Sequence, residues 1–128
     1  MFDASVPAER AALRRSLQPE GAWLVACLCA GWCRTCGEYR ATFQALSEQW
    51  PAWSFAWLDI EDEADLVGDH DVEDFPTLLV QQGSRVLFLG ALTPQQGVAK
   101  RLLQSLAEAG PAQVDSVLDV RARLLEEG

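Results

Sequence analysis

Two cysteines separated by two residues are the strongest chemical signal in this 128-residue sequence, and they lie in the segment Trp32–Cys36. Thiols at this spacing can exchange disulfides or can supply part of a zinc site. An apolar run rich in strand formers, residues 22–30, precedes the pair and ends at Gly31. After the pair, large apolar residues recur at helical spacing at Tyr39, Phe43, Leu46 and Trp50. The pair is therefore predicted to lie where a strand gives way to a helix.

This placement predicts different roles for the two thiols. Unpaired N–H groups and the helix dipole put partial positive charge beside Cys33 and favour its thiolate, so we expect Cys33 to attack. Arg34 adds a cation next to it. Cys36 lies one turn further into the helix, and we expect it to be the more buried thiol that resolves the reaction.

A second motif occurs about forty residues further on, where Phe75-Pro76-Thr77 opens another apolar strand. A proline is expected there only at the first position of a strand or at a sheet edge. With this segment, the Trp-Cys-x-x-Cys motif, and Gly83 and Gly90 around a last hairpin, the chain resembles the thioredoxin family over about residues 6–108.

The resemblance implies a thioredoxin-like α/β fold with a central mixed sheet and helices on both faces. It also implies thiol–disulfide exchange on protein substrates through Cys33 and Cys36, without a cofactor, and a disulfide reductase as electron donor. In the family the proline is cis and faces the cysteine pair, which is the conformation implied for Pro76. Trp32, Phe75 and Pro76 are then expected to contact the substrate.

Several positions depart from the family pattern. Thioredoxins carry a buried carboxylate six residues before the first motif cysteine and a lysine that faces it, and these positions are Cys27 and Trp57 here. Asp59 is a candidate substitute base, although an acid at this place ordinarily caps a loop or a helix. The segment Arg34-Thr35 replaces the usual glycine-proline pair, which leaves the redox potential open.

Cys27 and Cys29 share one face of the predicted strand, which we expect the cysteine helix to cover. They can pack as small hydrophobic residues, or Cys27 can form a disulfide with Cys36 or modulate it. All four cysteines together form the pattern Cys-x-Cys-x3-Cys-x2-Cys, which allows a metal site. Structural zinc sites seldom join two ligands on a buried strand to two at a helix start, so we expect no metal.

The composition excludes several classes of partner. The sequence has 19 acidic and 10 basic residues and a net charge of −9, which argues against binding to nucleic acid or to anionic membranes. It contains neither a signal-peptide pattern nor the roughly 20 consecutive apolar residues of a spanning helix. We therefore expect a soluble cytoplasmic protein, because a reducing compartment suits redox-active thiols better than structural disulfides.

The length fits one domain with a substantial core. We expect residues 1–110 to form the thioredoxin-like domain and residues 111–128 to add a helix packed on it. The predicted elements, in chain order, are a strand within 1–6, a helix from Pro7, a strand to Cys29, a helix at 34–50, a strand at 53–60, a short helix near 63–68, strands at 77–81 and 85–89, a helix from Thr93-Pro94 to Gly110, and a helix at 113–126.

Two function classes are favoured over a third, the metal-binding protein that the four cysteines allow. The first is a thiol–disulfide oxidoreductase that exchanges protein disulfides and transfers electrons in cell redox homeostasis. The second is a thioredoxin-like binding or scaffolding module whose cysteines sense redox state with little turnover. The lost carboxylate, the lost lysine and the additional C-terminal helix motivate the second class.

Overall fold

A computed structural model of the protein describes residues 1–68, 72, 74–109 and 118–127. Its centre is a five-stranded sheet whose strands are β1 (Phe2–Asp3), β2 (Trp23–Cys29), β3 (Ser54–Asp59), β4 (Thr77–Gln82) and β5 (Arg85–Ala91). The spatial order is β1-β3-β2-β4-β5. The first three strands are parallel to one another, while β4 pairs antiparallel with both β2 and β5. The sheet is therefore mixed, as the sequence predicts.

Helices cover both faces of this sheet. They are α1 (Pro7–Ser16), α2 (Arg34–Ser47), α3 (Ala64–Val67), α4 (Gln96–Ala109) and α5 (Val120–Glu126). Because successive strand residues point to opposite faces, the sheet divides the core into two apolar clusters. One cluster joins α2 and α4 to the sheet, and the other joins α1, α3 and α5 to it.

The α2 face contains the cysteines. Its buried residues include Phe43, whose ring centroid lies 5.6 Å from that of Phe55 and 6.0 Å from that of Trp57. Cys27, Cys29 and Cys36 belong to the same cluster. The expectation that Cys27 and Cys29 share the face covered by the cysteine helix is therefore confirmed.

The opposite face receives the C-terminal segment. Its buried residues Leu118, Val120 and Leu124 pack in the cluster that also contains side chains of α1 and α3. Gln81 of β4 is fully buried there, and it donates from Nε2 to Asp119 at 2.7 Å and accepts from the backbone N–H of Arg121 at 3.2 Å.

The side chain of Arg121 continues this contact. It donates to the backbone carbonyls of Leu17, Gln18 and Pro19, at 2.8, 3.2 and 3.4 Å respectively. These carbonyls follow α1 and include orphan acceptors of the kind that a helix C-terminus leaves without an intrahelical donor. The C-terminal segment is thus held by apolar packing and by hydrogen bonds to two separate elements.

Three helix boundaries differ from the sequence prediction. Helix α2 ends at Ser47 rather than near 50, and α4 begins at Gln96 rather than at Pro94. Helix α5 begins at Val120, with the carboxylate of Asp119 accepting the Ala122 N–H as its N-cap. The predicted start at 113 lies outside the described residues. Apolar spacing locates a helical face but does not mark the residue at which the first turn is capped.

Candidate active site

Cys33 occupies the N-cap position of α2. Its backbone is extended, with φ −85° and ψ 119°, and its carbonyl accepts the Gly37 N–H at 3.2 Å. The Cys33 side chain is half-buried, and its sulfur is not part of a disulfide. The first turn of α2 contains no acidic residue, so no carboxylate there offsets the partial positive charge of the helix N-terminus. This is the environment expected of an attacking thiol.

Arg34 is highly exposed and turns toward its own helix. Its Nε lies 3.3 Å from the Glu38 carboxylate, an i,i+4 pair on the surface of α2. The cation that the sequence places beside Cys33 is thus partly neutralised by Glu38. A direct effect of Arg34 on Cys33 remains a prediction.

Cys36 forms a disulfide with Cys29, and their Cα atoms are 5.8 Å apart. Both residues are almost completely buried. The bridge differs from the pairing of Cys33 with Cys36 that the resemblance implies, and from the hypothesised bridge between Cys27 and Cys36. The reason lies in the strand: Cys29 is the last residue of β2 and lies nearest to the start of α2, whereas Cys27 is two residues deeper in the sheet.

Cys27 lies directly behind the bridge, and its side chain is fully buried. Its Sγ is 3.7 Å from Cys29 Sγ, and because a disulfide sulfur carries no proton, the Cys27 S–H must be the donor. Burial raises the pKa of the Cys27 thiol far above its ordinary value. Burial also raises the pKa of the neighbouring Tyr39 to about 12, with a smaller contribution from Cys27. Cys27 is therefore a protonated thiol at neutral pH.

Trp57 replaces the lysine of the family pattern, and a cation still lies beside it. The Arg40 guanidinium carbon of α2 is 5.3 Å from the centroid of the Trp57 ring, and Arg40 also forms an ion pair with Asp3 at 2.7 Å. Although burial opposes it, hydrogen bonds from Ser5 and Arg40 hold the pKa of Asp3 below its ordinary value. The indole is thus part of a contact that ties α2 to β1.

A cavity of about 260 Å³ opens beside Cys36, and Arg40, Trp57 and Asp59 also line it. Asp59 Oδ1 accepts the backbone N–H groups of the two residues that follow Ile60, at 2.9 and 3.3 Å, which is the ordinary loop-capping role. Its other oxygen faces Gly31, where a Cβ would lie only 2.9 Å from Oδ2. Asp59 therefore borders the same cavity as Cys36, and its role as a base remains a prediction.

The exposed ring of Trp32 and the half-buried ring of Phe75 form an aromatic pair near the cysteines. Trp32 is 70% exposed, and its ring meets that of Phe75 edge to face at 5.6 Å. The indole N–H of Trp32 donates to Glu61 at 2.9 Å. The Phe75–Pro76 peptide bond is cis, and Pro76 immediately precedes β4. The antiparallel pairing of β4 with β2 ends at Leu28 and Thr77, one residue from Cys29 and from Pro76.

The structure thus brings most of the predicted site residues to one end of the sheet. Sequence reasoning missed Cys29 as the partner of Cys36, and it missed Arg40 beside Trp57. The position of Cys29 at the very end of the predicted strand is the signal that favours it over Cys27.

The described part of the chain contains neither a metal-binding cluster nor a membrane-spanning helix. Within residues 1–68, 72, 74–109 and 118–127, no group of three or more His, Cys, Asp or Glu side chains is arranged to hold a metal ion. No helix in the same part of the chain is long and apolar enough to cross a membrane.

Comparison with known proteins gives a family and a fold. The sequence matches the family model described as Thioredoxin over residues 6–104. A comparison with curated proteins gives no significant match.

Among solved structures, a thioredoxin h from poplar aligns with a TM-score of 0.67 and 16% identity over 84% of this chain and 96% of its own. A thioredoxin from Trypanosoma brucei brucei aligns at 0.66 and 18%, covering 84% and 91%. The germline-specific thioredoxin Deadhead of Drosophila melanogaster aligns at 0.65 and 17%, covering 85% and 99%. The family match and the Cys29–Cys36 bridge together support a redox role for the cysteine cluster.

Proposed function

Because the chain belongs to the thioredoxin family, we propose that it is a thiol–disulfide oxidoreductase that exchanges disulfides with protein substrates through Cys33 and Cys36. The observation that carries this proposal is the position of Cys33. It is a half-exposed thiol at the N-cap of a helix of 14 residues, with Cys36 three residues further on.

The reaction follows from these positions. The Cys33 thiolate attacks a substrate disulfide, so the substrate S–S bond breaks, a Cys33–substrate disulfide forms, and one substrate thiolate leaves. Cys36, as a thiolate, then attacks the Cys33 sulfur, forming a Cys33–Cys36 disulfide and releasing the second substrate thiolate. Both released thiolates take protons from water, and a disulfide reductase or a small thiol returns the enzyme to its dithiol form. The Cys29–Cys36 bridge has to be reduced before Cys36 can resolve a substrate.

The surface around Cys33 supports a protein as the substrate. Trp32 provides exposed apolar area beside the half-buried ring of Phe75, and large aromatic side chains are enriched where proteins contact one another. Pro76 lies at the start of β4, where an extended substrate segment could pair with the backbone of Phe75. The net charge of −9 favours neutral or basic partners, and a cytoplasmic location fits thiols that work in the reduced state.

Reduction of insulin by dithiothreitol tests the proposal. We expect the wild-type protein to accelerate insulin precipitation, and we expect Cys33→Ser to return the rate to that of dithiothreitol alone. A second variant should combine Cys33→Ser with Ser84→Cys, which places an exposed thiol in the turn between β4 and β5. This control should also be inactive, because its thiol lacks the helix N-terminus and a resolving partner. A wild-type rate equal to that of dithiothreitol alone would contradict the proposal.

One observation favours a second candidate function. The Cys29–Cys36 bridge withdraws the resolving thiol from Cys33, as expected of a binding or scaffolding module that senses redox state with little turnover. The replacement of the family's carboxylate and lysine by Cys27 and Trp57 points the same way. This candidate is favoured if insulin reduction is not accelerated while the Cys29–Cys36 bridge still opens and closes in glutathione buffers.

A further inference from the structure

We propose that Cys29 is a third redox-active cysteine, which takes Cys36 out of the Cys33–Cys36 disulfide and thereby returns Cys33 to its thiolate. This inference rests on the proposed function, because it begins from the disulfide that substrate turnover produces. It assigns a role to the bridge that the structure contains and that exchange through Cys33 and Cys36 alone leaves unexplained.

Cys36 lies between two possible partners. On one side, Cys33 precedes it by three residues at the N-cap of α2, which is the spacing of a Cys-x-x-Cys redox pair. On the other side, Cys29 lies at the end of β2 with its Cα 5.8 Å from that of Cys36, within the range of about 4.4–6.8 Å that disulfides require. Cys36 therefore has one candidate partner on each side.

The transfer balances within the chain. The Cys29 sulfur, as a thiolate, attacks Cys36 Sγ, the Cys33–Cys36 bond breaks, and the Cys29–Cys36 bond forms. The electron pair of the broken bond stays on Cys33, which becomes a thiolate. The proton lost by Cys29 passes to water or to Cys33, so no external oxidant or reductant is consumed.

The surroundings of the sulfurs favour this direction. The leaving Cys33 thiolate is stabilised by the unpaired N–H groups at the N-terminus of α2. The Cys27 S–H, 3.7 Å from Cys29 Sγ, is placed to donate to the Cys29 sulfur as it becomes anionic. The product disulfide is shielded in the apolar cluster, where Cys36 is 2% and Cys29 1% exposed. Cys27 thus acts through Cys29 as a positioning residue.

The transfer has a consequence for substrates. After one turnover the chain stores a disulfide between Cys29 and Cys36 and presents a reduced Cys33 to a second disulfide. Because the stored bridge is buried, the partner that resets the chain must act through Cys33 rather than attack the bridge directly.

The number of thiols that react with Ellman's reagent tests the inference. In the reduced wild-type protein, Cys33 releases one thionitrobenzoate and Cys36 a second on closing the Cys33–Cys36 disulfide. Transfer to Cys29 then frees Cys33 to release a third. We expect three equivalents from the folded wild type and two from both Cys29→Ala and Cys29→Ser. Cys27→Ala should still reach three equivalents, which excludes Cys27 as the source of the third, but it should release the third more slowly, because the Cys29 sulfur loses its S–H donor.

Peptide mapping identifies the bonds and does not depend on any variant folding. Trypsin is expected to cleave after Arg15, Arg34 and Arg40, which separates Cys36 from the peptide that contains the other three cysteines. Fragmentation of the linked peptides should then find Cys29 joined to Cys36 and the reagent on Cys33. Two equivalents from the wild type, with Cys33 joined to Cys36, would overturn the inference while leaving the proposed function intact. Failure of the proposed function is read separately, from insulin reduction.

Discussion

Replacing Gln81 by leucine tests whether the C-terminal segment belongs to the same folded unit as the sheet. Gln81 is fully buried in β4, and its amide makes two hydrogen bonds to that segment, one to Asp119 and one from the N–H of Arg121. Leucine has a similar volume and no polar atoms, so Gln81→Leu removes both bonds without opening a large cavity. We propose that residues 118–127 are an integral part of the domain.

The expected loss in the free energy of unfolding follows from the polar groups that lose a hydrogen-bond partner. The N–H of Arg121 loses its acceptor, and an unsatisfied buried backbone group costs about 1–3 kcal/mol. Asp119 loses one donor but keeps the N–H of Ala122 at 3.0 Å, so the stability lost at Asp119 lies near the lower end of that range. Together we expect Gln81→Leu to lower the free energy of unfolding by about 2–4 kcal/mol, a large part of the roughly 5–15 kcal/mol typical of a domain.

Urea unfolding measures this difference, and the chain offers a matched control. Gln82 is the next residue of β4 and is half-buried, and its amide oxygen accepts from the exposed side chain of Arg85 at 2.8 Å. Gln82→Leu should therefore change the free energy of unfolding by less than about 0.5 kcal/mol. If Gln81→Leu costs no more than Gln82→Leu, the C-terminal segment does not stabilise the domain in the way described.

Two further substitutions test local features of the fold. Burial and neighbouring carboxylates raise the pKa of Glu63 despite a hydrogen bond from the Asp59 N–H. The protonated form of Glu63 therefore contributes stability at low pH, and this contribution is lost as the pH rises through the raised pKa. Glu63→Gln should therefore raise the urea midpoint at pH 7 and change it less at pH 4; an equal change at both would contradict this cause. Gly83 has φ +58°, and a Cβ would overlap the carbonyl oxygen of Glu20. Gly83→Ala should cost at least about 1–2 kcal/mol in thermal unfolding, whereas Gly21→Ala, in open space, should cost less than about 0.5 kcal/mol; equal losses would show that the turn tolerates a side chain.

Most of the fold could be predicted because its signals are local. The apolar run that ends at Gly31 and the helical spacing from Tyr39 onward place the cysteines between β2 and α2, as the structure does. Pro76 marks the start of β4 because a proline cannot donate within a sheet. These patterns indicate whether an element is a helix or a strand and where it ends, and both features are set by residues that are close in sequence.

The remaining features depend on contacts between distant residues. The choice of Cys29 rather than Cys27 as the partner of Cys36 follows from how far β2 extends beneath α2, which alternation along the strand does not specify. The cation over Trp57 comes from Arg40 on a different element. Sequence spacing places residues on a face, whereas packing decides which of them meet across it.

The rate and site of alkylation test the central claim most directly. The reduced protein should be freed of dithiothreitol, treated with iodoacetamide at neutral pH, and mapped by mass spectrometry over time. The account predicts that Cys33 is labelled first and faster than the thiol of an unstructured peptide, while buried Cys27 is labelled only after unfolding. Labelling of Cys33 no faster than the peptide thiol would contradict the claim that Cys33, at the N-terminus of α2, is the attacking thiol.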